Sequence, residues 1–477
     1  MTDLDGLSTP DAFDRLAVIL REWVPRQRWF AGKARDFADL RLVDAILLTG
    51  AGEPDPVFEL ITEVVYEDGH IEHYQVPLVP GRIDGEGYVG EVEGIGLVDA
   101  TYVPSAARVM ASLAYEETER RTARGDILVG TPVEPAELPD ASPRRIDVEQ
   151  SNTSMVLGDT AILKIFRRLE PGENPDVEIT RALTEAGFAN APHQRGAFGL
   201  RHSNGLTTAL GVLSAFVPGA QEGWNVATAE VHRVTAGEGP PVLIESLDDL
   251  GRAVADMHGA LARTLGAREA TPGDLEHWVA AMRQQALTVL ATAMRRAPDA
   301  AAVVLDRANE INERIERLAT EKATGPLTRT HGDLHLGQVL LDADGRWQLL
   351  DFEGEPAKPL EERRALHAPL RDVAGMLRSF DYAAAAGSGG DLGQVPEAAQ
   401  RWRDAARDAF LQGYLAAGSR HDVLPIDQSA IQAQLDAFEL DKAVYELGYE
   451  LANRPDWVPI PVGGITRVLD RATPNPR

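Results

Sequence analysis

The pattern of apolar and polar positions changes along the chain, mixed at first, then alternating, and helical towards the end. Leu16, Ile19, Leu20 and Trp23 recur at helical spacing and predict one amphipathic helix. Alternating runs follow, such as Val57 to Val65, punctuated by the turn residues Pro80-Gly81 and Asp84-Gly85. A small α+β unit with antiparallel strands is therefore expected up to about residue 100. The next stretch contains a hairpin signal, Ser154 to Leu157 and Ala161 to Phe166 flanking Gly158-Asp159. A helix is expected to begin near Pro175-Asp176, and a strand runs from Ala209 to Val217 before the breaker Pro218-Gly219.

Beyond residue 225 the period becomes helical. Ser246, followed by Asp249, reads as the cap of a helix carrying Leu250, Val254, Met257 and Leu261. Further helices are expected across 274–296, 301–319, 398–416 and 427–453. They are interrupted at 327–353 by a loop and two short apolar runs, Gln338 to Leu341 and Trp347 to Leu350, around the turn Asp342 to Gly345. The Gly- and Ala-rich stretch Ala383 to Asp391 reads as a mobile loop between helices.

A chain of 477 residues has room for two or three domains, and 44% hydrophobic with 25% charged residues is a soluble globular balance. The 74 acidic and 47 basic residues give a formal charge of −27, which repels nucleic acid and anionic membrane surfaces. The same field disfavours any phosphate-bearing ligand unless a cation corrects it locally, so a metal is expected at any phosphate site. The absence of cysteine excludes disulfides, thiolate metal sites and a cysteine nucleophile. It fits a reducing compartment. The acidic start Met1 to Asp5 lacks the features of a secretory signal, and no apolar run approaches the ~20 residues of a membrane span. A cytoplasmic location is expected.

Phosphoryl transfer needs an acceptor for the attacking hydroxyl's proton, oxygen ligands for Mg²⁺ and a cation on the phosphates. Asp333, in His331-Gly332-Asp333, has the chemistry of that acceptor, with His331 orienting the loop. Gln338, five residues on, offers an amide oxygen to a metal, and Asp351 places a hard carboxylate at a strand end, suited to Mg²⁺. A single such aspartate is more often a turn residue; the loop, amide, hairpin and terminal carboxylate together favour the functional reading.

These motifs resemble those of aminoglycoside phosphotransferases, whose loop reads His-Gly-Asp-x-His-x-x-Asn; here Gln338 replaces the asparagine and Glu353 the glycine of Asp-Phe-Gly. Longer strings sharpen the resemblance to actinobacterial maltokinases: Gln150 to Ser154, Leu163 to Arg168, Asn174 to Glu178, Asp351 to Pro356, Leu370 to Tyr382 and Asn453 to Pro461. The match spans about residues 20 to 462.

The resemblance implies a bilobal protein-kinase-like α+β fold, with a cap domain over residues 1–95, a strand-rich N-lobe over 96–217 and a helical C-lobe over 218–477. It implies that Lys164 contacts ATP phosphates and pairs with Glu178, and that Ser151, Asn152, Thr153 and Ser154 cover the phosphates without a glycine. Ser214, Phe216 and Val217 are the implied adenine hinge. Asp372, Tyr445, Glu446, Arg454 and Trp457, with Glu450 and Tyr449, are the implied sugar-binding group. The expected activity is ATP- and Mg²⁺-dependent phosphorylation of maltose to maltose 1-phosphate, feeding α-glucan synthesis, with trehalose synthase as an implied partner. Two alternatives stay open: an amino-sugar or aminoglycoside kinase, whose cationic acceptor suits an acidic cleft, and a non-catalytic glucan- or partner-binding pseudokinase.

Overall fold

The computed structural model describes residues 10–49, 56–82, 85–134, 138, 142–146, 151–320 and 325–471. Gln150 of the string Gln150 to Ser154 and Asp84 of the expected turn Asp84-Gly85 lie outside these residues. The chain divides into two compact units, residues 1–184 with 192–218, and residues 185–191 with 219–477.

The first unit is strand-rich. Its opening helix α1 (Pro10–Trp23) buries Leu16, Leu20 and Trp23 of the expected stripe and half-buries Ile19. The strands β1 (Phe37–Leu47), β2 (Phe58–Tyr66), β3 (Ile71–Pro80), β4 (Tyr88–Val92) and β5 (Ile95–Asp99) form an antiparallel sheet in the order β1-β2-β3-β5-β4. Helix α2 (Pro104–Tyr115) leads to a second sheet. That sheet contains β6 (Glu119–Arg121), β7 (Ile127–Pro132), β8 (Arg144–Ile146), β9 (Thr153–Leu157) and β10 (Ala161–Ile165). A short strand β11 (Arg168–Leu169) pairs back onto β3, and α3 (Pro175–Glu185) follows. The sheet is completed by β12 (Gln194–Arg201) and β13 (Thr207–Ala215), in the order β6-β7-β12-β13-β10-β9-β8. The hairpin β9–β10 turns at Gly158, whose φ of 58° suits glycine.

The second unit is helical. It begins with β14 (Gln221–Glu222), α4 (Gly223–Thr235), α5 (Ile244–Leu265), β15 (Ala267–Glu269) and α6 (Pro272–Arg296). Next come α7 (Pro298–Asp306), α8 (Ala308–Leu318), β16 (Pro326–Thr328), β17 (Val339–Leu341) and β18 (Trp347–Leu349). It ends with α9 (Leu360–Arg363), α10 (Leu370–Gly387), α11 (Glu397–Gly418), α12 (Gln428–Asn453) and α13 (Pro459–Asp470). Among the described residues, no helix is long and apolar enough to cross a membrane.

Three expectations about helices need correction. Helix α5 starts before Ser246, whose hydroxyl donates to Leu243 O at 2.9 Å instead of capping. The N–H groups of Val242 and Leu243 are met by the buried carboxylate of Glu230 on α4, so a tertiary contact supplies the cap. The segment expected as one helix over 301–319 breaks at Arg307 into α7 and α8. Ala383 to Gly387 close α10 rather than forming a loop, because alanine is the strongest helix former and Ala383, Ala384 and Ala385 are buried.

Candidate active site

The loop before β17 is fixed from beneath. Asp372, in the first turn of α10, accepts the N–H of His331 at 2.7 Å and that of Gly332 at 3.0 Å. It also pairs with His258 Nε2 of α5 at 2.9 Å, while His258 Nδ1 meets the Tyr414 hydroxyl at 3.0 Å. Burial pushes the Asp372 carboxyl up, but His258 and the backbone donors outweigh it and hold the group below its ordinary range. Two glycines permit this geometry. Gly332 has a φ of 86°, and a Cβ on Gly375 of α10 would lie 2.7 Å from Leu334 O. His331 Nε2 donates to Leu350 O at 2.8 Å, tying the loop to the chain leaving β18. Asp372 was expected to bind sugar. It is 3% exposed with its oxygens engaged by the loop, and so it positions the loop instead.

Asp333 stands beyond this anchored backbone, partly exposed. Its Oδ1 accepts from Lys442 Nζ of α12 at 3.2 Å, and the same ammonium reaches Glu355 Oε1 at 2.7 Å. Burial works to lower the Lys442 pKa, yet the carboxylates of Asp333 and Glu355 outweigh it and hold the amine protonated. Burial keeps His335 below its ordinary value and hence neutral. Its Nδ1 accepts the Gly337 N–H at 3.0 Å, shaping the turn into Gln338.

Gln338 and Asp351 converge as the spacing implied. Gln338 Nε2 donates to Asp351 Oδ2 at 3.0 Å across the mouth of the β17–β18 hairpin. Asp351 has a φ of 60°, uncommon outside glycine, which turns the chain sharply after β18. An amide and a carboxylate side by side are an oxygen donor set that fits a hard divalent cation.

In the first unit, Lys164 lies on β10 between Ser154 of β9 and Val212 of β13. Its Nζ bonds to Asp176 Oδ2 of α3 at 3.0 Å. Glu178, the expected partner, lies two residues further along α3 and is half-buried. Thr153 and Ser154 were expected to cover phosphate with hydroxyls and backbone N–H groups. They are buried within β9, and the Thr153 hydroxyl accepts from Arg167 Nε at 2.8 Å. Ser151 is exposed just before the strand, with Asn152 nearly buried beside it. Ser214 is the penultimate residue of β13, the Phe216 N–H is taken by Thr160 O at 3.0 Å, and Val217 follows half-buried.

A cleft of about 460 Å³ opens beside Asp333, walled by Trp224, Tyr382, Tyr445, Glu446, Tyr449, Glu450, Arg454 and Trp457. Tyr445, Glu446, Arg454 and Trp457 are therefore brought together, as expected. The Tyr382 and Trp457 rings are nearly parallel, with centroids 6.1 Å apart. Arg454 lies over Trp457 at 4.5 Å and grips Glu450 in bidentate fashion at 2.9 and 2.7 Å. Glu446 Oε2 accepts from Arg378 Nε at 2.9 Å and Nη2 at 2.7 Å. Burial pushes the Glu446 carboxyl above its ordinary value, and the Arg378 guanidinium works against that.

The sequence reading missed Lys442, Arg378, Tyr382 and Trp224. Lys442 had a signal: it precedes Tyr445 and Glu446 by three and four positions, on the same face of α12.

An anchored His-Gly-Asp loop, an adjacent amide–carboxylate pair and a strand lysine held by a helix carboxylate are the parts of a phosphotransferase. Residues 142–424 match the model of the phosphotransferase enzyme family, and residues 23–102 match the maltokinase N-terminal cap domain. The chain belongs to the phosphotransferase enzyme family, with a cap of the maltokinase type. This agrees with the maltokinase-like fold read from the sequence motifs. It is 30% identical over 346 residues to a glucosamine kinase of Streptacidiphilus jiangxiensis, covering 69% of this chain and 74% of that one. A glucosamine kinase of Mycolicibacterium smegmatis (strain ATCC 700084 / mc(2)155) is 30% identical over 332 residues, covering 69% and 80%. A solved glucosamine kinase in complex with glucosamine, ADP and inorganic phosphate is similar at a TM-score of 0.68 and 26% identity, over 94% of this chain and 99% of that chain.

Proposed function

We propose that this protein transfers the γ-phosphoryl group of ATP to the anomeric hydroxyl of maltose, giving maltose 1-phosphate for α-glucan synthesis. The carrying observation is the aromatic cleft at Asp333, in which Glu355, Glu446 and Glu450 are each paired with a lysine or arginine, while Glu222 accepts from the Asn225 amide and burial pushes its carboxyl up. Paired carboxylates still accept hydroxyl hydrogen bonds, whereas an ammonium acceptor needs unbalanced negative charge. Aromatic faces suit the apolar sides of sugar rings. The volume falls within the ~300–1,000 Å³ of pockets that enclose ligands of this size. The cap of the maltokinase type supports the same reading.

In the proposed reaction the sugar oxygen bonds to the γ-phosphorus as the bond to ADP breaks, and the hydroxyl proton passes to the Asp333 carboxylate. Asp372 and His258 keep the loop backbone in place, and Lys442 fixes the orientation of Asp333. Gln338 and Asp351 would hold Mg²⁺, which when bound neutralises charge developing on the phosphates. Lys164, steadied by Asp176, would neutralise the remaining phosphate charge.

The glucosamine kinase relatives favour a second reading, an amino-sugar acceptor on the same machinery. ADP release measured with maltose, glucosamine and kanamycin separates the two. Turnover of maltose is expected, and turnover of only an amino sugar would overturn the proposal.

A further inference from the structure

Arg378 makes no wall of the cleft, yet it controls a group that does. Its side chain is fully buried in α10, whereas Glu446 lines the cleft with 13% of its side chain exposed. Both Nε and Nη2 converge on Oε2 of Glu446. Oε1 is left as the acceptor for a ligand hydroxyl. The guanidinium is held from behind, since a Cβ on Gly464 of α13 would overlap Nη1.

The third nitrogen, Nη1, bonds to Asp381. Asp381 draws on that charge but does not rely on it alone. It also has Arg467 at 2.7 Å, Arg407 at 3.6 Å and Arg403 at 3.8 Å. The charge of Arg378 is therefore available to Glu446. Buried charge-assisted bonds of this kind are stronger than neutral ones.

We infer that Arg378 is a specificity-determining positioning residue: by neutralising Glu446 it makes the cleft accept an uncharged sugar and refuse one bearing an ammonium group. The inference rests on the neutral-acceptor reading above and names the residue that enforces it. Without Arg378, Glu446 joins Glu222 as a cleft carboxylate without a cation among the described residues, and the added negative charge favours a protonated amino sugar.

The test is the ratio of kcat/KM for glucosamine to kcat/KM for maltose in the full-length chain. R378Q is expected to raise this ratio at least tenfold, and R378K, which keeps the charge, to return it towards wild type. The double variant R378Q/E446Q removes both charges and is expected to restore the wild-type ratio. E446Q alone leaves the cation without its partner and is expected to lower the ratio. A folded R378Q whose ratio is unchanged, or in which both substrates lose activity in proportion, overturns the inference. If R378Q does not fold, E446Q decides: an unchanged ratio overturns it. A wild-type enzyme that prefers glucosamine overturns the neutral-acceptor reading on its own, whatever the variants do to the ratio.

Discussion

Lys442 Nζ lies 3.2 Å from Oδ1 of Asp333 and so joins the proposed base to a helix distant in sequence. The same ammonium holds Glu355 at 2.7 Å, which leaves Asp333 little freedom to swing. Lys442→Met is expected to lower kcat on the order of 10- to 100-fold with a smaller change in KM, as small misplacements of reacting groups do. Lys442→Arg should recover part of the loss. Steady-state ADP release checks both, and an unaltered kcat in the methionine variant would remove Lys442 from the mechanism.

Asp333→Asn keeps the shape of the loop and removes the proton acceptor. Turnover should fall on the order of 10²- to 10⁴-fold, the usual contribution of a general base. Nucleotide binding by calorimetry should stay near wild type. Retained turnover would exclude the base role.

The pair Gln338 and Asp351 predicts a graded metal phenotype. Gln338→Asn keeps an amide oxygen one methylene shorter and should remain active at a higher Mg²⁺ requirement. Gln338→Leu removes the ligand, and Asp351→Asn removes its charge; both should shift the Mg²⁺ titration further. Identical titration curves for all three variants and the wild type would sink the assignment.

Asp381 gives a pH signature in stability. Burial pushes its carboxyl up, but the guanidinium groups led by Arg378 and Arg407 prevail and bring it down to about 2. In the unfolded chain it titrates near 3.9. Its contribution is therefore complete above about pH 4 and is lost as pH falls towards 2, on the order of 2–3 kcal/mol. Wild-type Tm should drop more steeply across that window than the Tm of Asp381→Asn. At neutral pH the variant should be less stable by ~3–5 kcal/mol, as when a buried charge cluster loses one member. Parallel Tm profiles below pH 4 would contradict the assignment.

The parts of the site that were legible are local ones. Asp333, Gln338 and Asp351 fall within one loop and hairpin, so their spacing alone carries the geometry. The hairpin of Lys164 was equally readable, because a two-strand pattern with a Gly-Asp turn is a short-range signal. Asp372 was misread because a carboxylate on a helix gives no hint of what lies above it. Only the fold shows that the loop backbone sits there. For Thr153 and Ser154 the sequence could not show that the side chains are buried, since a hydroxyl in an alternating strand looks alike whether it faces ligand or core. Helix α10 was not among the expected helices, and it buries the polar Asp372, Arg378 and Asp381 along with its apolar residues.

The anchoring of the catalytic loop also governs when the protein becomes competent during synthesis. Asp333 leaves the ribosome 109 residues before Lys442, and the loop backbone is held by Asp372, itself 41 residues after His331. A growing chain that has just emitted the His-Gly-Asp motif has neither support. The fully supported loop therefore forms only after α10 and α12 have emerged and packed.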